Sequence, residues 1–127
     1  MAKSYKSNKR GNGKHVAIYE DMQRTDAWKT LKPSPRALYV EIKRRFYGSN
    51  NGQILLSYRD AAKLLNVSHN TVGRWFKELE RRGFIVCMQR HHLGSSGVGK
   101  TSHWRLTELT TPDGKAATNE FRKWKSQ

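Results

Sequence analysis

Acidic residues are scarce in this chain, and cysteine and long apolar segments are almost absent. Ten aspartates and glutamates stand against 25 lysines and arginines, which leaves a formal net charge of +15 over 127 residues. An excess of this size favours binding to polyanions, above all nucleic acid and less often an anionic membrane surface. The apolar runs fall short of the roughly 18 residues that a membrane-spanning helix requires. We therefore expect no membrane partner.

Little in the composition favours catalysis or a metal site. Cys87 is the single cysteine, which excludes an internal disulfide and a cysteine-rich zinc site. Seven of the ten acids have a lysine or arginine within two positions, and neither paired carboxylates nor a Ser–His–Asp arrangement stands out. The N-terminal residues lack the apolar segment of a signal peptide. We predict a cytoplasmic, nucleoid-associated protein of one domain that is not an enzyme and has no cofactor.

The most informative stretch is SYRDAAKLLNVSHNTVGRWFKELERRG, residues 57–83. Ser57 and Ser68 are placed to cap two successive helices, and Gly83 to end the second. The apolar positions recur at helical spacing: Ala61, Leu64 and Leu65 fall on one face of the first helix, and Val72, Trp75, Phe76 and Leu79 recur in the second. The pattern predicts two helices joined by a tight turn.

The outer face of the second helix is polar and carries no acid in its N-terminal half. This face consists of His69, Asn70, Thr71, Gly73, Arg74 and Lys77. Such a helix suits a DNA major groove, where N-terminal side chains reach base edges while the preceding helix crosses the backbone. A solvated helical hairpin of a small bundle is the alternative interpretation, and apolar periodicity alone does not exclude it.

The flanking sequence predicts further helices and strands. A short helix is expected from Asp26, and a longer one over residues 36–47 with Ser34 as N-cap and Pro35 in the first helical position. The longer helix should bury Leu38, Ile42 and Phe46 and expose Lys43, Arg44 and Arg45. Residues 53–56 form a short apolar strand, and alternation at residues 84–88 and 103–108 predicts two more. A last helix near residues 118–125 should pack Phe121 and Trp124 on the core, with a dimer contact as the alternative.

This order of elements is that of a winged helix, and residues 26–109 resemble the winged helix-turn-helix domains of bacterial regulators such as the GntR and MarR families. The resemblance lies at Ser57, Ala61, Leu64, Val67, Ser68, Thr71, Val72, Leu79, Gly83 and Ile85. The whole chain, with NNG before the first strand and TNEFRKW near its end, is similar to small helix-turn-helix proteins of bacteria and their mobile elements. The resemblance implies double-stranded DNA binding by the second helix and the wing, and no small-molecule effector.

The expected fold class is α+β, with a single winged helix-turn-helix domain. Its three-helix core is accompanied by a short strand and a C-terminal β-hairpin wing. We assign residues 1–14 to a disordered basic arm, residues 15–109 to the DNA-binding domain and residues 110–127 to a C-terminal extension with a short helix. The arm combines five basic residues with glycine, serine and asparagine, and it buries too little apolar surface to fold alone.

The predicted DNA contacts fall into four groups. Base reading is assigned to Asn70, Thr71 and Arg74, since asparagine suits adenine and arginine suits guanine through paired hydrogen bonds. Backbone or flanking contacts are assigned to Arg59, Ser68, His69 and Lys77. Arg90 and Lys100 should anchor the wing, and the arm contributes Lys3, Lys6, Lys9, Arg10 and Lys14.

A second motif points elsewhere. Residues 94–101, GSSGVGKT, match the phosphate-binding P-loop pattern G-x-x-x-x-G-K-[ST] in full. A P-loop must open a helix whose amides hold the phosphates, whereas the following residues alternate like a strand, so a flexible wing tip is favoured. Metal binding by His91, His92 and His103 is also disfavoured, because adjacent histidines in a strand point to opposite faces.

These observations together favour a sequence-specific DNA-binding protein, a small bacterial, phage or plasmid regulator of transcription that could act as a homodimer on DNA. A replication or partition factor of a plasmid or phage is the nearest alternative, because it would use the same domain on repeated sites. A nucleotide-binding P-loop enzyme and a basic RNA-binding protein are further alternatives.

Deleting residues 1–14 tests the arm. The deletion removes five basic residues and no acid, and it leaves every predicted helix and strand intact. If the arm lies along phosphates, the slope of log K against log salt should become shallower by up to ~0.9 per lost contact. The melting temperature should hardly change. Titrations at several salt concentrations measure the slope, and an unchanged slope would favour a role in solubility.

Overall fold

Helices and strands follow one another in nearly the predicted order. The computed structural model describes residues 14–89, 92–93, 99–100 and 102–125. The helices are α1 Glu20–Gln23, α2 Asp26–Lys29, α3 Pro33–Arg44, α4 Tyr58–Leu65, α5 His69–Arg81 and a 3₁₀ helix at Glu120–Lys123. The strands are β1 Ile54–Leu55, β2 Ile85–Gln89, β3 His92–Leu93, β4 Gly99–Lys100 and β5 His103–Leu106. This is the α+β class that the sequence predicts.

The sheet is small and antiparallel, with β5 between β1 and β2. Trp104 of β5 lies opposite Ile54 on one side and Cys87 on the other. The register shifts between Cys87 and Gln89, as at a β-bulge, which bends a strand locally. Strands β3 and β4 pair separately, with His92 opposite Lys100. The chain between β2 and β5 therefore contains a second antiparallel pair.

The hydrophobic core lies between the helices and one face of the sheet. Its fully buried side chains include Leu38 and Ile42 of α3, Val72, Phe76 and Leu79 of α5, and Trp104 and Leu106 of β5. Trp28, Tyr39 and Phe84 meet edge to face, with centroids 5.6 to 5.8 Å apart, an arrangement that aromatic pairs prefer. The core thus ties α2 and α3 to the turn that follows α5.

The C-terminal segment completes this core. Phe121 is buried and stacks on Phe84 with centroids 5.2 Å apart. The half-buried Trp124 lies under the guanidinium of Arg82, which is 4.1 Å from the ring centroid. The prediction that Phe121 and Trp124 pack on the core is therefore confirmed. The predicted helix over residues 118–125 is wrong in type and length, since only the 3₁₀ turn at Glu120–Lys123 forms.

Gly83 ends α5 as predicted, and for two reasons. Its φ of +88° lies in the left-handed region that glycine adopts without a steric penalty. A Cβ at this position would also lie 2.8 Å from the backbone of Glu120 and Phe121. Only a residue without a side chain fits between α5 and the C-terminal turn.

Three sequence predictions about the helices are wrong. The N-cap of α3 is Lys32 and Pro33 takes the first helical position, so Ser34 lies inside the helix; either proline suits the first turn, because the missing N–H has no intrahelical partner there. The helix also ends at Arg44, so Phe46 lies beyond it. Leu64 is 45% exposed, because the small side chains of Ala61 and Ala62 form the buried face of α4 instead.

Lys43 is buried, although helical periodicity predicts that it lies on the exposed face of α3. Its Nζ lies 3.0 Å from a carboxylate oxygen of Glu108 and donates to the carbonyl of Ala17. The hydroxyl of Tyr39 donates to the same carboxylate oxygen. Burial, and then the negative charge of Glu108, raise the pKa of Tyr39 well above its ordinary value. The phenol therefore stays protonated above the ordinary pKa of tyrosine. Its contribution to stability is complete below that ordinary pKa and is lost as the pH rises from there through the raised pKa.

Substituting Lys43 tests this buried ion pair. Lys43→Met should lower the free energy of unfolding by ~3 kcal/mol, because it leaves a buried carboxylate without its cation. Adding Glu108→Gln should recover most of that loss. Urea denaturation measures both, with Arg44→Met as the control, since Arg44 is an exposed neighbour whose substitution should change stability by less than about 0.5 kcal/mol. If Lys43→Met and Arg44→Met lower the free energy of unfolding equally, Lys43 and Glu108 do not form a stabilising pair.

Candidate nucleic-acid interface

Two serine caps set the geometry of α4 and α5. The Oγ of Ser57 accepts a hydrogen bond from the amide of Asp60 at 3.0 Å, and the Oγ of Ser68 accepts one from the amide of Thr71 at 3.1 Å. Asn66 ends α4 with φ of 57° and ψ of 49°, a conformation that asparagine tolerates better than most residues. Both predicted caps are confirmed, and only three residues separate the two helices.

The structure places most of the predicted contact residues of α4 and α5 on the exposed surface. Val72, Phe76 and Leu79 are fully buried in the core. The exposed residues are Arg59, Ser68, His69, Asn70, Arg74 and Lys77. Thr71 is half-buried, and its Oγ1 accepts from the hydroxyl of Ser68 at 2.9 Å. Thr71 is therefore engaged in the cap of α5, while Asn70 and Arg74 project into solvent.

Glu78 is the first acid of α5, and two arginines hold its charge. Its carboxylate accepts hydrogen bonds from Arg81, at 2.8 Å, and from Arg82. Partial burial alone would raise the pKa of Glu78, but the hydrogen bonds from Arg82 and Arg81 outweigh it and the pKa is lowered. Since this carboxylate is paired toward the C-terminal end of the helix, the N-terminal half of α5 keeps its positive character.

A hollow of about 300 Å³ lies beside Arg74, between α5 and the start of α3. Its lining is Thr30, Lys32, Ser34, Pro35, Arg74, Trp75, Glu78 and Arg82. Lys32 and Arg74 flank it as exposed cations. The DNA contacts predicted from the sequence do not include Lys32, nor Lys63, which is an exposed cation on α4. Their only signal in the sequence was their charge.

The remaining predicted contact residues can be located only in part. Lys100 belongs to β4, and Lys14 is exposed. Arg90 and the arm residues Lys3, Lys6, Lys9 and Arg10 lie outside the described residues. His91 and most of the P-loop match lie outside them as well. After Lys100 the next described element is the strand β5 rather than a helix, so the elements around the match differ from those that a P-loop requires.

The described part of the chain lacks two features. None of its helices is long and apolar enough to span a membrane. Among these same residues, no three histidine, cysteine, aspartate or glutamate side chains are grouped so that they could hold a metal ion.

Comparison with known families identifies the two capped helices. Residues 29–85 match the model of a helix-turn-helix domain. The match begins at the last residue of α2 and ends at the first residue of β2, so it contains α3, α4 and α5. No curated protein and no solved structure gives a significant match. The match therefore supports a helix-turn-helix fold for residues 29–85, with α4 and α5 as its two helices, as the sequence predicts.

The two serine caps offer a matched pair of substitutions. Ser57→Ala and Ser68→Ala should each lower the free energy of unfolding by ~1 kcal/mol, because each leaves a helix N-terminus without its side-chain acceptor. Only Ser68→Ala should also weaken DNA binding several-fold, since it frays the first turn of α5. Thermal denaturation and fluorescence anisotropy measure the two effects. Equal losses of affinity would argue against α5 as the principal contact.

Proposed function

We propose that this protein binds specific sequences of double-stranded DNA through α5 and acts as a small regulator of transcription in a bacterium, phage or plasmid. The observation that carries the proposal is the exposed, acid-free N-terminal half of α5, which is the second helix of a helix-turn-helix. In such domains this helix enters the major groove with its N-terminal residues toward the bases.

The spacing of Asn70 and Arg74 supports base reading. Residues four apart lie one above the other on a helix, about 6 Å apart, so both side chains face the same side of α5. An asparagine can bond two atoms of adenine, and an arginine two atoms of guanine. We assign base reading to these two residues together with Thr71, whose part is smaller because its hydroxyl already serves the cap.

We propose that β2 and β5, with β3 and β4 between them, form the wing of a winged helix-turn-helix of the GntR or MarR type. The antiparallel pairing of β2 with β5 and of β3 with β4 supports this assignment. Lys100 lies in the outer pair and would contact a phosphate there. Phosphate contacts by Arg59, His69 and Lys77 would then fix the orientation of α5.

A replication or partition factor is the second candidate, because it would use the same interface. DNase footprinting separates the two. A single operator that overlaps a promoter supports the regulator, and an array of origin repeats supports the replication factor. Half-sites one helical turn apart would indicate a homodimer on DNA.

Arg74→Ala tests base reading. The substitution should cost ~1–3 kcal/mol at a duplex selected from a random pool, because it removes a bidentate contact to one base. Binding to random DNA should fall less. Arg81→Ala is the control, since Arg81 is an exposed arginine near the C-terminal end of the same helix.

Anisotropy titrations of both variants with selected and random duplexes give the comparison. Arg81→Ala should leave the preference for the selected duplex unchanged. If Arg74→Ala weakens binding to the two duplexes equally, Arg74 contacts only phosphate and base reading by this residue is wrong.

A further inference from the structure

A column of four aromatic rings joins the first turn of α5 to the centre of the sheet. The ring of His69 lies 5.5 Å from that of Tyr58, between centroids. Tyr58 stacks on Phe76 at 4.6 Å with the planes 15° apart, and Phe76 stacks on Trp104 at 4.9 Å and 16°. These separations are typical of attractive aromatic pairs. The column therefore connects α4, α5 and β5 through side chains.

The absence of a side chain at Gly73 leaves room for the Tyr58 ring. Gly73 is buried in the middle of α5, so its predicted place on the outer face is wrong. Glycine at such a position weakens a helix relative to alanine. A Cβ at this position would lie 3.2 and 3.4 Å from two carbons of the Tyr58 ring. The ring would then have to move by a few tenths of an ångström, and its stack on Phe76 would move with it. Because Gly73 has no side chain, the Tyr58 ring of α4 can lie directly against α5.

The inner end of the column is fixed by the sheet. Trp104 is fully buried in the central strand, opposite Ile54 and Cys87. Its Nε1 donates to the carbonyl of Leu56 at 2.9 Å, directly before the Ser57 cap. The outer end is the exposed ring of His69, next in the chain to Asn70. The Phe76–Trp104 stack therefore links α5 to β5, whereas the Tyr58 ring links α4 to α5 between His69 and Phe76.

We propose that Tyr58 is a positioning residue for base recognition. Its ring, seated on Gly73 between His69 and Phe76, holds the first turn of α5 against α4, so that Asn70 and Arg74 meet the bases in one orientation. The proposal rests on the function proposed above. Because Tyr58 acts through α5 and not on the bases, its loss should reduce discrimination between DNA sequences and leave general attraction to phosphates almost intact.

Tyr58→Leu and Tyr58→Phe separate positioning from direct contact. Leucine removes the ring, whereas phenylalanine keeps the ring and removes only the hydroxyl. Affinities are measured for a duplex that the native protein selects from a random pool and for a random duplex of equal length. We expect Tyr58→Leu to lower the ratio of the two affinities about tenfold, with less than about a twofold change on random DNA. Tyr58→Phe should keep the native ratio.

Each contrary result overturns the proposal in a recognisable way. Equal weakening on both duplexes by Tyr58→Leu would mean that Tyr58 contributes only general affinity. A loss of the ratio in Tyr58→Phe would mean that the hydroxyl itself contacts DNA. A native protein that does not discriminate between duplexes would instead remove the proposed function.

Two further measurements do not depend on Tyr58→Leu binding DNA. In free protein, the proton NMR signals of the His69 ring should shift in Tyr58→Leu and stay in place in Tyr58→Phe, because only the first loses the neighbouring ring. Unchanged signals in both would overturn the column. Gly73→Ala displaces the Tyr58 ring through the added Cβ, so it should lower the affinity ratio even if Tyr58→Leu fails to fold. An unchanged ratio would contradict the proposal.

Discussion

The turn at Gly83 joins α5 directly to β2, and the two elements proposed to contact DNA take their relative direction from it. The turn requires a positive φ and the absence of a side chain, because the backbone of Glu120 occupies the space beside it. Arg82, just before it, is buried and donates to the carbonyl of Ala27 and the hydroxyl of Thr30, both at 2.7 Å. Since Trp124 covers the same guanidinium, the C-terminal segment and α2 hold α5 at its far end.

The buried side chain of Asn51 joins two parts of the chain that are distant in sequence. Asn51 accepts from the amide of Leu106 at 2.7 Å and donates to the carbonyls of Leu106, Leu109 and Thr110 at 3.0 to 3.1 Å. One side chain thus joins the turn before β1 to the exit of β5. Such fully bonded groups specify one arrangement, because any other would leave them buried without partners. The bonds to Leu109 and Thr110 hold the start of the C-terminal segment against the end of β5.

Local chemistry explains which features the sequence could predict. The caps at Ser57 and Ser68 and the end of α5 at Gly83 depend on residues within one helical turn, and all three are confirmed. The burial of Lys43 depends on Glu108, 65 positions away, so helical periodicity placed it wrongly in solvent. The prediction for Leu64 is wrong for a related reason. Helical spacing groups apolar residues on one face, but it does not show whether the neighbouring elements cover the leucine or the alanines. The role proposed for Tyr58 likewise rests on its contact with Gly73, which no sequence spacing reveals.

Charge and geometry therefore make different contributions to binding. The net charge of +15 attracts any nucleic acid, and this attraction weakens with salt and carries no sequence information. In the proposed function, discrimination requires Asn70 and Arg74 to meet base edges within hydrogen-bonding distance, so small displacements of α5 would matter more than the number of cations. The aromatic column and the turn at Gly83 hold α5 at its two ends through packing that salt hardly affects. If the proposed function holds, affinity is distributed over the surface, whereas specificity depends on how the core positions one helix.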